Sequence, residues 1–221
     1  MPRLAYPPFI PAFRFKQAMA LWLFLASTPA GAATPIVGLP CEDCEVPRIG
    51  LPAHPPATAQ LAPEGEPGQP LRLTGRVLDA ARHPRGGVIV YAHQTDQNGI
   101  YPGERSNRDP GIRRHGRLRA WATSDAEGRY TFLTVRPGSY PGTTMPQHIH
   151  LYVIEPGCAL YYIDDVLFRD DPHLTPAAAR RADQGRGGSG IVTPRRTGSG
   201  WVAQRDIMLG RNIPGYPSCT P

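Results

Sequence analysis

The chain holds one lysine, Lys16, so every later cation is an arginine. It has no apolar run of the roughly 20 residues a spanning helix needs. It shows no internal repeat, and long stretches free of helix breakers are rare. Among its 221 residues are 24 glycines and 27 prolines. Proline removes a backbone donor and glycine weakens a helix, so this density excludes a helical bundle or a coiled coil. Aromatic residues make up only 8% and charged residues 19%. The hydrophobic fraction of 40% is still enough for a packed core. These limits point to an all-β domain with many turns.

The net charge of +6 is not organised for nucleic acid. Three of the cations, Arg3, Arg14 and Lys16, precede residue 33 with no acid among them. The densest later cluster, Arg113-Arg114-His115-Gly116-Arg117, reads as one short loop without interleaved stacking aromatics, so no nucleic-acid partner is expected. The apolar run Ala18–Ala26 follows basic residues and precedes Ala30-Gly31-Ala32, the pattern of a cleaved export signal. Residues 1–32 are therefore expected to be a signal peptide. The mature protein is expected in the periplasm or the medium, with no membrane attachment after cleavage.

Four cysteines in an exported chain suggest two disulfides, for which three connectivities exist. The favoured pairing is Cys41–Cys44 with Cys158–Cys219. A zinc site would want a second short-spaced Cys or His pair, and none is present. A redox role for Cys41-Glu42-Asp43-Cys44 would want the motif to open a helix, which Pro47 and Pro52 oppose.

Residues 33–70 read as a Cys- and Pro-rich arm lying on the domain, and residues 71–221 as the domain itself. Alternating or apolar stretches predict strands over Leu71–Leu78, Val88–His93, Arg117–Thr123, Arg129–Val135, His148–Ile154, Leu160–Phe168 and Trp201–Leu209. One short helix is expected over Pro176–Asp183 and a glycine-rich loop over Gly185–Gly200. Strands at this spacing describe a β-sandwich with irregular loops and at most one or two short helices.

The chemistry centres on Gln147-His148-Ile149-His150. Alternate residues on a strand share a face, so His148 and His150 project together and Ile149 points into the core. Two turn-bound tyrosines accompany them: Tyr101 in Asn98-Gly99-Ile100-Tyr101-Pro102, and Tyr140 in Pro137-Gly138-Ser139-Tyr140-Pro141. His54, His83, His93, His115 and His173 read as structural or solvent-facing, and Trp121 and Trp201 as core. One of Tyr161 and Tyr162 should face the core and the other a pocket.

From Leu71 to Pro172 this arrangement resembles the intradiol ring-cleavage dioxygenases, the family of protocatechuate 3,4-dioxygenase and catechol 1,2-dioxygenase. The resemblance rests on Gly75-Arg76-Val77-Leu78-Asp79, Asp125-Ala126-Glu127-Gly128-Arg129-Tyr130, Pro137-Gly138-Ser139-Tyr140-Pro141, Pro146-Gln147-His148-Ile149-His150 and Phe168-Arg169-Asp170-Asp171-Pro172. It implies a mononuclear, non-haem Fe(III) held by Tyr101, Tyr140, His148 and His150, with Tyr140 the axial ligand that leaves when substrate binds. It implies a catechol-type substrate and O₂, opened between the two hydroxylated carbons to a muconate-type diacid, and it allows an oligomer. Two positions depart from the family pattern. Met145 stands where an Arg three residues before the paired histidines would stabilise substrate charge. Asp165 stands where a Gln is usual, and an acid beside a catecholate would repel it. The alternatives are a non-catalytic, transthyretin-like sandwich serving as a binding or scaffold protein, and a zinc or copper site on His148 and His150. Two tyrosinates suit Fe(III) better than zinc.

Overall fold

A computed structural model describes residues 34–103, 109–217 and 219. The expected signal peptide lies outside the described residues. Among them, eleven strands form two sheets. The strands are β1 (Thr58–Gln60), β2 (Pro70–Leu78), β3 (Ile89–Gln94), β4 (Arg119–Thr123), β5 (Arg129–Val135), β6 (His148–Glu155), β7 (Ala159–Phe168), β8 (Ile191–Val192), β9 (Arg195–Thr197), β10 (Gly200–Gln204) and β11 (Ile207–Met208). One sheet runs β1-β5-β2-β10-β9, with β11 pairing further along β2, and the other runs β4-β3-β6-β7-β8. Two short helices, α1 (Pro110–His115) and α2 (Pro176–Ala182), complete the described elements together with a 3₁₀ turn at Val46–Arg48.

Alternation decides what each sheet buries. Leu71, Leu73 and Phe132 from the first sheet meet Val90, Ile149, Leu151 and Val153 from the second in one core cluster. The opposite face of the second sheet is apolar as well. There Tyr91, Tyr152, Ile154 and Leu160 form a separate cluster with Cys44, and Ile36, Cys41, Leu51 and Trp121 pack against it. The proline-rich segment therefore lies on that outer face through Ile36, Cys41, Cys44 and Leu51. It also joins the first sheet, because β1 pairs in parallel with β5. Both disulfides have the favoured pairing, Cys41–Cys44 and Cys158–Cys219.

Several local expectations need correction. The last strand is not continuous: β10 ends at Gln204 and β11 begins at Ile207. Arg205 turns inward between them, almost fully buried, and its guanidinium donates to the carbonyls of Gly187, Gly188 and Asp206. The glycine-rich segment is not all loop, since it carries β8 and β9. The arginine cluster is not all loop either, since Arg113, Arg114 and His115 belong to α1. Its six residues are too few to show a period, but Asp109 caps it by accepting from the backbone N–H of Gly111 and Ile112, and Pro110 opens it. Trp121 and Trp201 are half-buried, not core. Trp201 is flanked by the guanidinium groups of Arg136 and Arg196, and the Trp121 indole N–H donates to the Pro47 carbonyl.

Candidate metal centre

The two histidines stand on the outer face of β6, under the arm. Ile149 between them is fully buried in the sandwich core, as the alternation requires. Tyr101 arrives from the loop after β3. Asp96 shapes that loop by accepting from the backbone N–H of Asn98 and Ile100. Tyr140 arrives from the loop after β5. The two loops touch through glycines: a Cβ on Gly99 would lie 1.8 Å from the Ser139 carbonyl oxygen, and one on Gly138 would lie 2.4 Å from that of Gln97. Only glycine lets these backbones approach so closely, and Gly99 also needs its positive φ of 77°. The Gly138 N–H donates to the Asp96 carbonyl at 2.7 Å, closing the pair.

All four expected ligands converge. The Tyr101 and Tyr140 hydroxyl oxygens are 2.8 Å apart. Tyr140 Oη lies 3.0 Å from His148 Nε2, and Tyr101 Oη lies 2.8 Å from His150 Nε2. The far side of each imidazole is also held. His148 Nδ1 donates to the Pro146 carbonyl at 2.7 Å. His150 Nδ1 donates to Asp165 Oδ1 at 2.8 Å, and the same oxygen accepts from the Tyr162 hydroxyl at 2.9 Å. Because a carbonyl and a carboxylate only accept, both rings carry a proton on Nδ1, and His148, whose pKa burial lowers, presents its Nε2 lone pair to Tyr140.

That proton count tests the fit to a cation. Three short contacts link His148 Nε2, the two phenol oxygens and His150 Nε2, and with both Nε2 atoms unprotonated the two hydroxyls bring only two protons for them. Burial, chiefly, raises the pKa of both phenols and lowers that of His148, so without a cation the phenols hold their protons and His148 resists a second one. A cation among the four atoms removes the mismatch, by taking the lone pairs and replacing the phenol protons. Two imidazole nitrogens and two phenol oxygens suit a hard trivalent iron, so the residues fit the group the resemblance implies.

Asp165 is placed differently from the expectation. Register shifts between Ile149 and Leu151, whose partners on β7 are Val166 and Ile163, so His150 faces two β7 residues instead of one. The bulge aims Asp165 at His150 rather than toward a ligand between the tyrosines. Burial would raise its pKa, but the imidazoles of His150 and His148 outweigh that and hold the carboxyl below its ordinary value. His148, His150 and Asp165 also form a cluster whose potential ligand atoms lie within 4.8 Å of one another. Since Asp165 is hydrogen-bonded to His150 Nδ1, it acts as an orienting carboxylate behind the ring.

Two more histidines belong to the site, and neither is solvent-facing. In the sheet register His93 on β3 lies directly opposite His150. Its ring stacks between those of His115, 3.7 Å away and 5° from parallel, and His150, 4.5 Å away. Both ring nitrogens of His93 are buried without a hydrogen-bond partner among the described residues. His115 is fixed by the Tyr91 hydroxyl at 2.9 Å. His54 and His83 are exposed and His173 is half-buried. Tyr161 faces the core, while Tyr162 holds Asp165.

A cavity of about 510 Å³ opens onto Tyr101, Tyr140 and His150. The exposed part of its wall carries Glu42 and Asp43 from the Cys41–Cys44 clip, and Arg113 and Arg114 from α1. Asp43 ties the two elements together through an ion pair with Arg114. Met145, in place of the usual Arg, is half exposed on its loop. Arg136 supplies no charge to the cavity: its guanidinium is bound to Asp170 and Gln147 and lies against Phe168. Among the described residues, the arginines that line the cavity are those of α1.

A family model described as Dioxygenase matches residues 51–186, a span that includes both tyrosines and both histidines. The chain belongs to the intradiol ring-cleavage dioxygenase family. It is 31% identical over 137 residues to the protocatechuate 3,4-dioxygenase beta chain of Burkholderia cepacia, a match that covers 56% of this chain and 58% of that protein. The chain thus spans somewhat over half the length of that relative. Among solved structures, it resembles the dioxygenase domain of a dioxygenase carbohydrate-binding fusion from Streptomyces sp. SirexAA-E (24% identity, TM-score 0.52, covering 72% of this chain and 91% of that one). It also resembles catechol 1,2-dioxygenase from Pseudomonas arvilla C-1 (22% identity, TM-score 0.51, covering 71% and 58%). At these identities the structural likeness speaks to the fold.

Proposed function

We propose that the protein is an exported, Fe(III)-dependent dioxygenase that opens a catechol between its two hydroxylated carbons, placing both atoms of O₂ in a muconate-type diacid. The observation that carries this reading is the convergence of two phenol oxygens and two imidazole nitrogens at contacts of 2.8–3.0 Å. Tyr101, Tyr140, His148 and His150 would hold the iron. When bound, it would supply the Lewis acidity that draws both catechol oxygens into the site and lets the electron-rich ring react with O₂.

The chain's own residues then do the following. Pro146 and Asp165 lock the two imidazoles with Nε2 forward. Tyr140, less buried than Tyr101 and on the cavity wall, would be the tyrosine that gives way to the catechol and takes up one of its protons. Its own hydroxyl pKa is raised by burial and, further, by the carboxylates of Asp165 and Glu42, which favours protonated phenol once it is displaced. Export through residues 1–32 is consistent with two disulfides and no free cysteine among the described residues.

The test is to incubate the iron-loaded protein with catechol under ¹⁸O₂. The expected product is a ring-opened diacid heavier by two labelled oxygens. A product with a single label, or none, contradicts the assignment.

A further inference from the structure

Four charged side chains stand on the cavity wall, but they are not equivalent. Asp43 and Arg114 neutralise each other. The other two, Glu42 and Arg113, have no side-chain hydrogen bond or ion pair among the described residues, and both are exposed. One is an anion on the disulfide-closed clip and the other a cation on α1. The clip holds Glu42 in place: its ends are joined by Cys41–Cys44, and the Glu42 carbonyl accepts from the Tyr152 hydroxyl at 3.1 Å. The Asp43–Arg114 pair fixes the clip against α1, so the two unpaired charges are carried on one braced rim. Glu42 acts on the Tyr140 and Tyr152 hydroxyls and on the Arg114 guanidinium, and Arg113 lines the same cavity.

A cavity of about 510 Å³ is far larger than a bare dihydroxybenzene fills. A ligand seated with its hydroxyls at Tyr101 and Tyr140 therefore has room for a side chain that reaches Glu42 and Arg113 on the cavity wall. A purely anionic side chain would meet Glu42 unfavourably, and a purely cationic one would meet Arg113. Complementarity to one unpaired charge of each sign favours a ligand that carries both.

We propose that Glu42 and Arg113 are specificity-determining residues that select a catechol with a zwitterionic, amino-acid-type side chain, Glu42 receiving the ammonium and Arg113 the carboxylate. This rests on the dioxygenase reading above and adds the substrate class.

The test compares kcat/KM for four catechols on the iron-loaded protein. They are 4-methylcatechol, 3,4-dihydroxyphenylpropanoate, 3,4-dihydroxyphenylethylamine and 3,4-dihydroxyphenylalanine. The amino acid should be preferred over 4-methylcatechol by about tenfold, from two partly exposed charge contacts of up to about 1 kcal/mol each. Glu42→Gln should lower the preference for the two amines, relative to 4-methylcatechol, by about three- to fivefold, and Arg113→Gln should do the same for the two carboxylates. A wild-type preference near one, or preferences unmoved by both substitutions, overturns the inference while leaving ring cleavage standing. Failure to cleave any of the four with iron bound overturns the dioxygenase reading, and this inference with it.

Discussion

Asp165 Oδ1 accepts a hydrogen bond from His150 Nδ1 at 2.8 Å, while His150 Nε2 lies 2.8 Å from the Tyr101 hydroxyl. The carboxylate fixes the ring's tautomer and its plane from behind. A residue that looks hostile to a catecholate in the sequence is thus a support for the His150 ring. Asp165→Ala should weaken iron binding about 10- to 100-fold, read by competition with a chelator. Asp165→Asn, whose amide oxygen can still accept, should fall between. Wild-type affinity in the alanine variant would show that the pair does not orient the ligand.

His93 tests the packing of the same region. Its ring fills the space between His115 and His150, but its two buried nitrogens lack partners among the described residues. An unpaired buried polar group costs about 1–3 kcal/mol. His93→Phe keeps a flat ring and removes both nitrogens, so the unfolding free energy in urea should rise by about 1–2 kcal/mol, the larger ring taking back part of the gain. A loss of stability would mean that a ring nitrogen is hydrogen-bonded in solution.

The fold and the four converging side chains are legible in the sequence because their signals are local. Period-two alternation places His148 and His150 on one face, and the glycine turns mark Tyr101 and Tyr140. The remaining site residues depend on distant pairing. His93 becomes part of the site only because β3 and β6 pair with His93 opposite His150, and Asp165 only because of a bulge between β6 and β7. Neither register is written in either strand alone. Helix α1 is too short to show a period, yet it carries His115 and the cavity's arginines. Arg205 breaks the last strand by bonding loop carbonyls that sequence reading cannot place.

The stability of the metal-free protein should depend on pH through His115. Burial, opposed in part by the Asp43 carboxylate, lowers its pKa to about 4, against about 6.5 when unfolded. Between these values the unfolded chain binds more protons than the native one, so stability is fully present above about pH 6.5 and is lost as pH falls toward 4. The loss should amount to about 2–3 kcal/mol. Urea unfolding across that window should show the slope, and His115→Gln should reduce it, leaving the part due to His93 and His148, whose pKa values burial also lowers. An unchanged slope in the variant would assign the effect to other groups.

The two disulfides should differ in weight. Cys158–Cys219 closes a separation of 61 residues and Cys41–Cys44 one of 3. Loop-closure entropy assigns about 4 kcal/mol to the first and about 1.5 kcal/mol to the second. The Cys158→Ser, Cys219→Ser pair should therefore lower the urea midpoint well beyond the Cys41→Ser, Cys44→Ser pair. Equal effects would indicate that the short clip stabilises through its packing over Tyr152.

The central claim is that two tyrosines and two histidines hold a ferric ion with room for a catechol, and the visible spectrum of the iron-loaded protein tests it most directly. Ferric tyrosinate should give a charge-transfer band that colours the protein red, and anaerobic catechol should shift it as the Tyr140 bond is replaced. Tyr101→Phe combined with Tyr140→Phe should abolish the band. A protein that binds iron but stays colourless, or a double variant that keeps the colour, would contradict the account and favour a non-catalytic sandwich or a different metal.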